Sequence, residues 1–106
     1  MQEATFLILT ALAAGSQHGY GIITDVRAIS AGRVSLKAGT LYAALDRLRS
    51  DGLIEVEREE VVDSRLRRYY RLTAEGRGVL GTEAERLRQH ANVAISRLHP
   101  AAGASV

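Results

Sequence analysis

From Ala4 to Ala14 nearly every position is apolar, and in a helix such a run means burial on several sides rather than along one stripe. A helix of this kind is expected to lie between its own core and a second subunit. Gly15, Ser16 and Gln17 interrupt it. Ile22, Ile23, Val26 and Ile29 then recur at helical spacing as far as the turn at Ser30, Ala31 and Gly32. A third helix is expected with Ser35 as its N-cap and Leu41, Leu45 and Leu48 as its inward stripe. Gly52 closes it as a residue able to take the left-handed C-terminal conformation.

Between residues 53 and 72 the period shortens to two. Ile54 and Val56 alternate with Glu55 and Glu57, and Tyr70 and Leu72 with Tyr69 and Arg71, which predicts two strands joined near Val62, Asp63 and Ser64. Thr73 suits the cap of a last helix with Glu75 in its first turn, while Gly76, Gly78 and Gly81 are expected to weaken its start. Leu80, Ala84, Leu87, Ala91, Ala94 and Leu98 follow the alternating four-three spacing of a helix–helix seam, and Val93 and Ile95 are expected to widen it. Pro100 stops the helix, and Ala101 to Val106 has too little to bury to order alone.

The order helix, helix, helix, strand, strand, helix predicts a mainly α fold with a small β-hairpin: a winged helix-turn-helix over 1–73, a dimerisation helix over 74–98 and an unordered tail over 99–106. At 106 residues the chain suffices for one domain. The absence of cysteine excludes disulfides and thiolate metal sites, and a reducing cytoplasm is the expected setting. Phe6 to Ala14 is too short to cross a bilayer.

Net charge is only +2, so the placement of charge decides. Residues 33–49 hold Arg33, Lys37, Arg47 and Arg49 against Asp46 alone. Arg65, Arg67, Arg68 and Arg71 face no acid within their own strand, whereas Glu55, Glu57, Glu59, Glu60 and Asp63 stand against Arg58. The third helix and one hairpin arm are therefore basic, an asymmetry expected to orient the hairpin on a polyanion. Ser35, Lys37, Thr40 and Tyr42 offer hydroxyl and ammonium donors near the third helix's start, and Gly39 allows close backbone approach.

His18-Gly19-Tyr20, Gly39-Thr40-Leu41-Tyr42, Asp51-Gly52-Leu53-Ile54 and Arg68-Tyr69-Tyr70-Arg71-Leu72-Thr73 with Gly76 together resemble the PadR family of bacterial transcription regulators, over roughly residues 4–98. The resemblance implies a homodimeric DNA-binding repressor on a palindromic operator, released by an effector. It also implies the family's compact subgroup, whose short last helix crosses the partner's first helix. The DNA contacts it implies are Tyr20, Ser35, Lys37, Gly39, Thr40, Tyr42, Arg65, Arg67 and Arg68, and the dimer contacts are Phe6, Leu7, Leu80, Leu87, Ala91, Ile95 and Leu98. Ala38 and Ala43 stand where members often carry proline, and Asp63-Ser64-Arg65 where many carry a Gly-Arg or Gly-Lys wing tip. These departures leave open the detail of the helix start and whether the wing enters a minor groove.

Plainer readings accompany these. Tyr70 is expected in the core, Tyr69 more exposed, and Tyr42 either packed or on DNA. The wing arginines could serve as a charged sheet edge, and His18 as a helix cap. His18, His90 and His99 are too scattered for a metal site, with His90 beside the seam. Gly19 and Gly21 lack the strand and lysine of a nucleotide loop, and no nucleophile pattern suggests an enzyme. No cofactor is expected. A protein-interaction module, or a ligand or metal sensor, is the competing class, and an effector is expected at the dimer interface.

Overall fold

The computed structural model describes residues 1–99, so Pro100, expected to stop the last helix, and the tail after it lie outside the described residues. The elements are α1 (Glu3–Ala13), β1 (Gln17–His18), α2 (Gly19–Ile29), α3 (Ala38–Ser50), β2 (Ile54–Val62), β3 (Arg65–Leu72) and α4 (Ala74–Leu98), with the antiparallel sheet ordered β1-β3-β2. Leu7, Ile8, Leu9, Ala11 and Leu12 are all buried, the several-sided burial the first apolar run predicts. They close over Ile22 and Val26 of α2, Leu41, Leu45 and Leu48 of α3, and Ile54, Tyr70 and Leu72 of the sheet. Ile29, at the end of α2, stays exposed.

The local chemistry of the chain sets most boundaries. His18 Nδ1 accepts the Gly21 N–H at 3.2 Å, so α2 starts three residues before its first large apolar position. The short strand β1, absent from the sequence reading, pairs Gln17 with Tyr70 and His18 with Tyr69; two residues carry too little periodicity to reveal a strand. Ser35 is not the cap of α3. That helix begins at Ala38 behind Lys37, which makes no side-chain cap bond, because Val34 and Leu36 pack against the core and hold the preceding segment extended. Gly52 takes φ +76° as expected. Thr73 Oγ1 accepts the Gly76 N–H at 3.0 Å and donates to the Gly52 carbonyl at 2.7 Å, capping α4 and tying it to the end of α3.

The hairpin turns on Asp63 and Ser64, both left-handed at φ +50° and +63°, with Val62 paired to Arg65. This is the two-residue turn that matches strand twist and ordinarily favours glycine. Ser64→Gly is therefore expected to raise stability by about 1 kcal/mol in urea denaturation, since glycine adopts this conformation without the Cβ penalty.

α4 runs without interruption through Gly76, Gly78 and Gly81. Only its first turns touch the rest of the subunit, and from Ala84 to Leu98 every residue is exposed. The subunit consequently measures 67 × 28 × 20 Å. At about 100° per residue, Ile95 borders the Leu80-to-Leu98 seam whereas Val93 is turned about 120° from Leu87, so Val93 does not widen that face.

Candidate nucleic-acid interface

Burial of Leu41, Ala44, Leu45 and Leu48 turns the opposite side of α3 to solvent, where Gly39, Tyr42, Ala43, Asp46 and Ser50 stand exposed. Small side chains occupy the middle of this face, so another surface can approach the helix closely. Nothing lies within 4 Å of where a Cβ on Gly39 would be. Thr40 and Gly39 border a groove toward α1, which also contains Arg47, whose guanidinium donates to Thr5 Oγ1 at 3.1 Å. Lys37 and Ser35 are exposed at the start of the helix.

Tyr42 forms the other edge and lines a cleft of about 430 Å³ with His18, Gly19, Tyr20, Val62, Arg65, Leu66, Arg67 and Arg68, in which Asp63 is the one carboxylate against three arginines. The nine sequence-predicted contacts thus divide: Tyr20, Tyr42 and the three arginines share this cleft, Gly39 and Thr40 lie toward α1, and Ser35 and Lys37 precede α3. The N-terminus of α2, with the positive end of its helix dipole, opens into the same cleft. Tyr20 projects there at 75% exposure.

The two hairpin arms neutralise one another more than the sequence reading expects. Arg68 pairs with Glu59 at 3.5 Å and Arg71 with Glu55 at 3.2 Å, both partners half exposed. Such pairs contribute little stability, but they bring the acidic arm against the basic one instead of separating the charges. The reason is register: Glu55 lies opposite Arg71 and Glu59 opposite Arg68, with an irregularity between Val56 and Arg58 that resets the faces. Among the described residues Arg65 and Arg67 have no ion pair, so they are the wing charges most available to an anion.

A second cluster fixes the wing to the body. The Tyr69 ring carries the Arg58 guanidinium 3.7 Å from its centroid and meets the edge of His18 at 5.4 Å. Its hydroxyl donates to Glu60 at 2.6 Å, and Arg58 donates to the same carboxylate at 2.8 Å. The Tyr69 hydroxyl, aided by Arg58, holds the Glu60 carboxyl below its usual range. Burial, with Arg67 nearby, lowers the His18 imidazole from its ordinary 6.5, favouring the neutral ring that caps α2. The capping role expected for His18 is observed, and Tyr70 is buried as expected while Tyr69 is only half-buried. His18, Gly19 and Leu66 are cleft residues that charge and donor patterns do not single out.

Of the residues expected between subunits, Leu7 lies inside its own core at 7% exposure and Phe6 is half-buried against it. Leu80 is half-buried, whereas Leu87, Ala91, Ile95 and Leu98 are exposed. Among the described residues no three histidine, aspartate or glutamate side chains gather to hold a metal ion, and no helix is long and apolar enough to cross a membrane.

The sequence pattern of the transcriptional regulator PadR-like family matches residues 8–82. A transcriptional regulator of Mycobacterium tuberculosis is 39% identical over 88 residues, covering 83% of this chain and 68% of that protein. A PadR family transcription regulator from Clostridium difficile is similar in structure with a TM-score of 0.76 at 28% identity, over 92% of this chain and 100% of that one. Bacillus subtilis PadR, solved in complex with operator DNA, shares the fold with a TM-score of 0.69 at 24% identity, over 78% of this chain and 47% of that one.

Proposed function

The chain belongs to the PadR-like family of transcriptional regulators, and from that premise we propose that it is a homodimeric, non-enzymatic repressor that binds a palindromic operator in the cytoplasm. The observation that carries the DNA reading is the cleft in which Arg65, Arg67, Arg68, Tyr20 and Tyr42 converge beside the exposed face of α3. Long cations, hydroxyls and a helix N-terminus at one edge of a helix with a small-residue face suit a phosphate backbone flanking a major groove. In this reading α3 enters the groove, with Lys37, Ser35, Gly39 and Thr40 at its leading end and Tyr42 at the wing side. Arg65 and Arg67 meet backbone phosphates, and Arg68 joins them by exchanging Glu59 for DNA.

The dimer reading rests on α4. An isolated helix of a few turns is marginal in water, yet from Ala84 onward this one projects with only its own side-chain pairs, such as Arg86–Glu83 and Arg88–Glu85, to support it and displays Leu87, Ile95 and Leu98. A second copy supplies the same apolar seam by two-fold symmetry. Its α4, lying along Leu80, Leu87, Ala91 and Leu98 and reaching Phe6 of α1, would set the two α3 helices about 34 Å apart, one turn of duplex. An effector at that interface would release DNA by changing the subunit angle.

Selection of bound duplexes from a random pool tests the whole reading. An inverted repeat with half-sites about one helical turn apart is the expected product, and recovery of no bound sequence overturns it. On the selected duplex, Lys37→Ala and Arg67→Ala are each expected to reduce the slope of log affinity against log salt by about one unit. An unchanged slope removes that residue from the phosphate contacts.

A further inference from the structure

Gly19 opens α2 and is buried, but its backbone is not among the left-handed positions. What requires glycine there is space. A Cβ would collide with the Tyr42 hydroxyl and stand 2.9 Å from Tyr42 Cζ, with Leu41 Cδ2 at an ordinary 3.5 Å. The phenol of α3 is thus seated in the notch left by the missing side chain, and Gly19 and Tyr42 both line the arginine-walled cleft.

We propose that Gly19 is a positioning residue for DNA recognition: the notch at the start of α2 aims the Tyr42 hydroxyl at the mouth of the cleft. The proposal rests on the DNA reading of that cleft. The atoms that a Cβ would displace are the far end of an exposed, flexible side chain, so alanine shifts the tyrosine ring instead of breaking the core. Affinity should therefore respond much more than folding does. The same contact sets how close the start of α2 comes to the wing-side edge of α3, the two edges between which a phosphate would sit.

A double-mutant cycle on the selected, fluorescein-labelled duplex tests this. Gly19→Ala and Tyr42→Ala are each expected to weaken binding about tenfold, the loss of one well-aimed hydrogen bond to a charged group. Gly19→Ala added to Tyr42→Ala should weaken it no further. Full affinity for Gly19→Ala, or losses that simply multiply in the double variant, overturns the proposal, because glycine would then act through the backbone or not at all. A readout without DNA accompanies it: in ¹³C-tyrosine spectra Gly19→Ala should move the Tyr42 ring signals while far-UV circular dichroism stays unchanged. An unmoved Tyr42 ring overturns the proposal even if DNA binding itself fails, while failure of the wild type to bind any duplex counts against the function and not against the notch.

Discussion

Gly76→Ala is expected to destabilise the subunit by about 3 kcal/mol, at the upper end of overpacking costs, and Gly78→Ala and Gly81→Ala to stabilise it by about 0.5–1 kcal/mol each. The three glycines share one helix and, by propensity alone, should behave alike. Their surroundings separate them. A Cβ on Gly76 would collide with the carbonyl oxygen of Leu53 and stand 2.9 Å from its carbon, whereas nothing lies within 4 Å of a Cβ on Gly78 or Gly81. The obstructing atom is backbone and is already committed, accepting the Thr73 N–H at 3.1 Å, so no rotamer change relieves the clash. Either the first turn of α4 lifts from the α3–β2 junction or the Thr73 bonds to Leu53 and Gly52 are lost. Thermal unfolding at matched protomer concentrations, needed because association raises Tm, should show a fall of at least about 10 °C for Gly76→Ala. A fall no larger than that of a surface substitution would show that α4 is not seated against Leu53.

Gly76 also marks where sequence reasoning stops. Features decided by neighbours along the chain were readable: the four helices, the Thr73 cap, Gly52 at φ +76°, the hairpin and the inward Tyr70. Each follows from periodicity or from a side chain meeting its own backbone a few residues away. Gly19 and Gly76 are of another kind, since they are required by what packs on them from a different element, and in one dimension a glycine kept for space looks like a helix breaker. The same holds for β1, whose two residues acquire meaning only beside Tyr69 and Tyr70.

The candidate site was legible in composition and less so in arrangement. Its arginines and hydroxyls were identifiable from spacing and from the family's motifs; pairing outward from the Asp63-Ser64 turn sets Glu59 against Arg68, but Glu55 meets Arg71 only because of the irregularity after Val56. With a uniform strand Glu55 would face Leu72 instead of Arg71; with the observed register only Arg65 and Arg67 lack an ion pair among the arginines of the described wing. Likewise, the side of α3 on which each donor stands follows from the burial of Leu41, Leu45 and Leu48. This divides Tyr42 from Thr40, so that one borders the wing and the other α1.

Replacing both Leu87 and Leu98 by aspartate is expected to turn the proposed dimer into monomers and to lower operator affinity by at least about 100-fold, toward the range of non-specific binding. These leucines are exposed within the subunit, at 39% and 74%, so a carboxylate there meets water in the monomer and should leave its core intact. In the proposed dimer the two-fold axis would bring each new charge into an apolar seam against its symmetry mate's helix, where burial without a partner is costly. The loss of affinity then comes from separating the half-sites: each subunit keeps its cleft and its α3 face, but a second recognition helix is no longer carried to the next turn of the groove. Sedimentation velocity at micromolar concentration reads the first effect, and anisotropy on the selected duplex the second. This outcome differs from that of Arg67→Ala, which should leave the association state unchanged and lower the salt slope by about one unit. A wild-type protein that sediments as a monomer at these concentrations, or an aspartate variant that remains dimeric with full affinity, would remove α4 as the element that spaces the two clefts.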